Sequence, residues 1–314
     1  MNQKKILILG ALGQIGSPLT QKLRQIYGNE LVIASDIKHD KNNRLTDGPF
    51  ELIDATNYQQ ILNSIKRHNV DTVYLMAAML SATSEKHPEK AWNLNLSSLL
   101  NILNLAKAGY VKTIFWPSSI AVFGPTTPKE NVPQQTLMEP TSVYGISKAA
   151  GEDWCAYYHN NFGVDVRSLR YPGIISWQSL PGGGTTDYAV DIFHKAVKGQ
   201  PFSCFLEART KLPMMYIDDA LEATIKIMNC APKKLTVRTS YNLSAISFTP
   251  EEIFNSIRSY YPLFSIEYHP DFRQSIADSW PNSINDFQAR KDWGWEPKFN
   301  LQELTKAMIE HLKL

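Results

Sequence analysis

Cysteine is scarce in this sequence: Cys155, Cys204 and Cys230 are the only three in 314 residues, and no two form a C-x-x-C pair. That excludes a disulfide framework and gives no sign of a thiolate zinc site. The histidines, His39, His68, His87, His159, His194, His269 and His311, are scattered and never join a cysteine in a ligand pattern, so no metal is expected. A surplus of one charge is also missing. Lys+Arg totals 32 against 30 for Asp+Glu, a formal net charge of +2, which argues against nucleic acid or an anionic membrane as partner. Long apolar runs are absent as well. The longest, Val73 to Leu80, has eight residues, far below the ~20 that span a bilayer. The apolar start after Lys4-Lys5 is cut by Gly10 and Gly13, too soon for a secretory core. A reduced, cytoplasmic globular protein is the expectation, with length for about two units of roughly 150 residues.

What is present alternates between two periods. Lys5–Leu9 is almost wholly apolar, as a strand buried on both faces should be. Leu19, Leu23 and Ile26 then recur at helical spacing, and strand-like Glu30–Asp36 follows. Helix-like 59–68, strand-like 70–78, helical 94–106, strand-like 112–117, helical 144–162 and strand-like 164–171 continue the pattern. This predicts an α/β protein with a doubly wound parallel sheet. The second half is less regular. Pro181-Gly-Gly-Gly-Thr-Thr186 cannot lie inside a helix or a central strand. Helices are expected at 187–199, at 301–312 and after Thr249-Pro-Glu-Glu252, a capping box with proline at the first helical position.

Between the first strand and first helix lies Gly10-Ala-Leu-Gly13-Gln-Ile-Gly16. Glycines there let a pyrophosphate approach the helix N-terminus, where free N–H groups and the dipole favour anions. Asp36 stands 20 residues after Gly16, at the end of the second strand. A carboxylate at that point accepts from a ribose 2′-hydroxyl and repels a 2′-phosphate, so NAD is expected over NADP.

Tyr144-Gly-Ile-Ser-Lys148 puts a phenol and an ammonium at i and i+4 on one helix face. A phenol near pKa 10 must fall by about 3 units to act as a base near neutrality, and a cation beside it favours that. Alone, the pair reads as an ordinary surface Tyr and Lys on an amphipathic helix. Ser118 and Ser119, after a predicted strand and 25 residues before Tyr144 in the case of Ser119, change that reading.

With the glycine loop, these residues resemble the extended short-chain dehydrogenase/reductase family, and the likeness runs along most of the chain. Asp54-Ala55, Ala77-Ala78, Asn95, Arg170-Tyr-Pro172, Tyr216-Ile-Asp-Asp219 and Trp293-Gly-Trp-Glu-Pro297 match its other markers. The resemblance implies a Rossmann cofactor domain over 1–172 and about 214–245. It implies a smaller C-terminal α/β substrate domain from about 173–213 and 246–314. Tyr144 would be the base, Lys148 would lower its pKa and hold the nicotinamide ribose, and Ser119, with Ser118 beside it, would bond the substrate oxygen. The cofactor would lie along Gly10, Gly13, Gln14, Ile15, Gly16, Asp36, Ile37, Asp54, Ala55, Leu75, Ala77, Ala78, Asn95, Tyr144, Lys148, Tyr171 and Pro172.

Ala77–Glu85, Pro181–Tyr188 and Trp280 are further similar to the short-chain-type L-threonine 3-dehydrogenases. That implies Ser81, Ser118, Ser119, Tyr144, Gly184, Thr185, Thr186 and Trp280 around L-threonine, with the glycine N–H groups free to receive its carboxylate. The same glycines also read as a surface loop able to close as a lid, and Trp280 as core. A sugar-nucleotide epimerase or dehydratase, or a non-catalytic NAD sensor, are the alternatives. In similar enzymes helices matching 94–106 and 144–162 form a homodimer interface; otherwise both pack on the sheet.

Overall fold

The computed structural model describes residues 4–178 and 180–313. Strands β1 (Ile6–Leu9), β2 (Val32–Asp36) and β3 (Phe50–Leu52) alternate with helices α1 (Gly16–Tyr27) and α2 (Tyr58–His68). Then come β4 (Thr72–Leu75), α3 (Ser81–Lys86), α4 (Pro88–Trp92), α5 (Ser98–Lys107), β5 (Thr113–Ser119), α6 (Val143–Phe162) and β6 (Asp165–Tyr171). With β10 (Tyr241–Asn242), six of these strands build a seven-stranded sheet in the order β10-β6-β5-β4-β1-β2-β3. Every pairing in it is parallel. Its strand order reverses between β1 and β4, so the crevice at their carboxyl ends is where a ligand fits this topology.

The apolar run of β1 has a direct cause. Ile6 and Ile8 belong to the core under α1, whereas Leu7 and Leu9 join a second core on the opposite face with α2 and α5 residues such as Ile65 and Leu103. Both faces are buried, so no polar alternation survives.

The strand expected over 70–78 is shorter. β4 stops at Leu75 because β1 stops at Leu9; Met76 N–H still bonds Leu9 carbonyl at 2.8 Å, and then the chain passes under the glycine loop. The helix expected over 94–106 carries a π-turn, Asn93–Ser97, between α4 and α5.

The second half supplies two small sheets. β7 (Gly173–Ile175), β9 (Leu212–Tyr216) and β11 (Ile246–Phe248) form one; β8 (Phe202–Cys204) and β12 (Ile266–Tyr268) form the other. Around them lie α7 (Tyr188–Val197), α8 (Ile217–Asn229), α9 (Pro250–Arg258), α10 (Arg273–Ser279), α11 (Phe287–Trp293) and α12 (Leu301–Leu312). The Thr249–Glu252 capping box opens α9 as expected. Among the described residues no helix is long and apolar enough to cross a membrane.

Candidate active site

The glycine loop leaves β1 and enters α1 at the sheet's reversal point. Gly10 has φ +86°, and a Cβ there would lie 2.5 Å from the Ala77 nitrogen; one on Gly16 would lie 2.1 Å from the Gly10 carbonyl. Both glycines are demanded by packing. Gly13 differs, since its nearest obstacle is 3.4 Å away, so packing alone does not demand a glycine there. Among the described residues, nothing accepts the N–H groups of Gln14, Ile15 and Gly16, and these open the helix where the dipole favours an anion. The Gln14 side chain ties the loop to the Ile174 carbonyl at 3.1 Å.

Asp36, at the end of β2, accepts from Leu12 N–H at 3.1 Å and Lys38 N–H at 3.2 Å, with Ile37 exposed beside it. The Asp54-Ala55 turn is held by the Asn101 side chain, which donates to the Ala55 and Thr56 carbonyls. The donor set fits a dinucleotide: free amides for the diphosphate, a carboxylate for a ribose, and an apolar flank for a base.

A cavity of about 210 Å³ continues from the loop. Its lining includes Gly13, Gln14, Ile15, Gly16 and Ala78 of the cofactor set, and Ser118, Ser119, Tyr144, Lys148, Tyr171 and Pro172. Ser81, Gly184, Thr185, Thr186 and Trp280 line it as well. Gly10, Asp36, Ile37, Asp54, Ala55, Leu75, Ala77 and Asn95 lie outside this lining.

Tyr144 and Lys148 share one face of α6. The Lys148 ammonium donates to the Pro117 carbonyl at 2.5 Å and sits 4.5 Å from the Trp116 ring and 5.5 Å from the Tyr144 ring. Burial lowers its pKa to about 7, with the Cys155 thiol and the Glu152 carboxylate pulling the other way. The expected depression of Tyr144 is not produced by the protein's own groups. Burial pushes the phenol up to about 12, and the nearby Ser119 hydroxyl only partly offsets this. The reason is desolvation: a phenolate and an ammonium each lose water in the same crevice.

Ser118 is the second correction. Its hydroxyl donates to the buried Glu152 carboxylate at 2.6 Å, and Glu152 is clasped by Arg170 at 2.7 Å. Ser118 still lines the cavity, but its hydroxyl hydrogen is already given to Glu152. Among the described residues Ser119 accepts from Ala121 N–H at 3.2 Å, and its hydroxyl is turned to the Tyr144 phenol.

Asn95 differs too. It bonds Met79 N–H at 2.9 Å, the Met79 carbonyl at 3.3 Å and Ser147 at 3.1 Å, so it staples the 76–80 segment to α6 and touches no cavity. The Tyr171 hydroxyl pairs with Thr224 of α8. The third correction concerns the glycine run. Gly183 and Gly184 N–H both donate to Asp187 Oδ2 at 2.8 Å, so an internal carboxylate already takes the amides expected to await a substrate. The loop is latched further, through Ala82 N–H to the Gly183 carbonyl and a Ser81–Thr185 hydroxyl contact of 3.1 Å. Trp280 is both core and lining: 5 % exposed, yet at the cavity wall.

Sequence reasoning missed Glu152 and Asp187. Glu152 is one further i+4 step along the face carrying Tyr144 and Lys148, a signal that was there to read. Asp187 looks from sequence like a plain helix start.

Residues 6–243 match the NAD dependent epimerase/dehydratase family. An uncharacterized epimerase/dehydratase of Staphylococcus aureus (strain USA300) is 47% identical over 312 residues, 99% of this chain and 97% of the relative. Among solved structures, a partial consensus L-threonine 3-dehydrogenase is 55% identical with a TM-score of 0.97, over 98% of this chain and 99% of that one. The holo form of a GalE-like L-threonine dehydrogenase from Cupriavidus necator is 54% identical with a TM-score of 0.96, over 98% and 99%.

Proposed function

The chain belongs to the NAD dependent epimerase/dehydratase family, and from that premise we propose that it oxidises the 3-hydroxyl of L-threonine to give 2-amino-3-oxobutanoate. NAD, when bound along the glycine loop, supplies the hydride acceptor. Tyr144 takes the proton from the substrate hydroxyl, Ser119 donates to the same oxygen, and Lys148 supplies the positive charge that favours the phenolate. The observation that carries the substrate reading is the cavity lining. Lys148 is the only cation among its lining residues, and hydroxyl-bearing Ser81, Thr185 and Thr186 line it too. A sugar nucleotide would bring a diphosphate with no second cation to meet it, whereas a small zwitterion needs none. The two whole-length likenesses to threonine dehydrogenases support the same choice.

As part of this reading, residues 1–172 and about 214–245 form the cofactor unit, with the remainder closing over the substrate. Purified protein with NAD⁺ and L-threonine is expected to generate NADH absorbance. Tyr144→Phe should abolish that signal while leaving NAD affinity nearly unchanged. Turnover of a UDP-sugar with no NADH from threonine would overturn the substrate; an active Phe variant would remove Tyr144 as base.

A further inference from the structure

We propose that Asp187 receives the ammonium group of the substrate and is the specificity-determining residue of the cavity; this rests on the amino-acid reading above. Asp187 is the only carboxylate among the residues lining the cavity. It is 7 % exposed, and an ammonium entering so dry a space is costly without an opposite charge beside it. Its two oxygens are not equivalent. Oδ2 accepts the Gly183 and Gly184 N–H groups, each at 2.8 Å, and the Gly182 N–H also faces the carboxylate, whereas no hydrogen bond within 3.5 Å ends on Oδ1 among the described residues.

The glycine run makes this arrangement possible. Gly183 turns at φ +95°, and a Cβ on Gly184 would stand 2.8 Å from Asp187 Oδ1. A side chain at Gly184 would cover the oxygen that is left open. Burial raises the Asp187 pKa, while the glycine amides and Arg273 pull it down and favour the ionised form. The carboxylate is thus held by the glycine amides, with Oδ1 left without a close donor. A substrate lacking the ammonium, such as a hydroxy acid or a sugar, would leave that oxygen unpaired on closing the cavity, and selectivity follows from the mismatch.

The test compares L-threonine with (R)-3-hydroxybutanoate, which keeps the carboxylate and hydroxyl and lacks the ammonium. Asp187→Asn retains an oxygen for the two glycine amides and removes the charge. Its KM for L-threonine is expected to rise at least about tenfold, as for loss of a charge-assisted hydrogen bond, with KM for NAD unchanged. Its kcat/KM for (R)-3-hydroxybutanoate should hold or improve. Equal losses on both substrates would mark Asp187 as a loop strut and overturn the proposal. If the variant does not fold, the wild type decides: a KM for (R)-3-hydroxybutanoate within about threefold of that for threonine overturns it, and one far higher supports it. A wild type that makes no NADH from threonine fails the substrate reading itself, whereas one that does, with an unselective Asp187→Asn, fails this inference alone.

Discussion

Lys148 and Tyr144 are opposed by the same desolvation, one pushed down to about 7 and the other up to about 12. An unfolded lysine holds its proton until near the ordinary 10.5. Between about 7 and 10.5 the unfolded chain therefore binds one more proton than the folded chain at this group, and its contribution to stability rises with pH across that window. Lys148→Met should lose that increment. Urea midpoints of wild type and variant, measured at pH 7 and pH 10, are expected to show the variant gaining relative stability at the lower pH; parallel curves would refute it. The two serines offer a second separation. Ser119→Ala should cut kcat/KM by about 100-fold, the usual scale for one lost donor to a reacting oxygen. Ser118→Ala should keep most activity and lose about 1–3 kcal/mol of stability, because Glu152 forfeits a buried donor. A Ser118 variant more damaged in catalysis than the Ser119 variant would reverse these roles.

At the scale of elements, the apolar run of β1, the α6 Tyr–Lys spacing and the α9 capping box were legible in the sequence because each depends on neighbours a few residues away. The end of β4 was not, since it is set by where β1 ends. The π-turn at Asn93–Ser97 was equally hidden, and Asn95 sits within it, fastening the 76–80 segment to α6. Asn95→Ala leaves the Met79 N–H without that acceptor. It is expected to cost about 1–3 kcal/mol in urea unfolding and, if NAD lies along the glycine loop as proposed, to raise KM for NAD. Unchanged KM for NAD would confine Asn95 to a structural role.

Over the whole molecule, the two helices expected at a dimer interface split their residues between core and surface. Leu99 and Leu103 are wholly buried on the sheet, whereas Trp154, Tyr157 and Phe162 of α6 are 39%, 49% and 40% exposed. Three half-exposed rings in a cluster, with Trp154 and Tyr157 5.7 Å apart, are the kind of apolar patch that a partner covers. We propose that a second copy does so. Sedimentation velocity should show a dimer for the wild type and a monomer for the Trp154→Glu/Tyr157→Glu variant; a monomeric wild type would dispose of the proposal.

The absences noted at the outset, few cysteines, no surplus charge and no long apolar run, together with the strand–helix alternation and the glycine loop, were determined by the sequence alone. They are local in origin: composition, period and backbone freedom act over a handful of residues. What only the tertiary structure decided is which polar groups remain free. Ser118 is consumed by Glu152, the glycine amides by Asp187 and Asn95 by Met79, leaving Ser119 and Tyr144 turned to one another at the cavity and one oxygen of Asp187 without a close donor. A buried donor or acceptor must find a partner, and that partner is chosen by proximity in space: Glu152 lies 34 positions from Ser118 along the chain and 2.6 Å away in the fold.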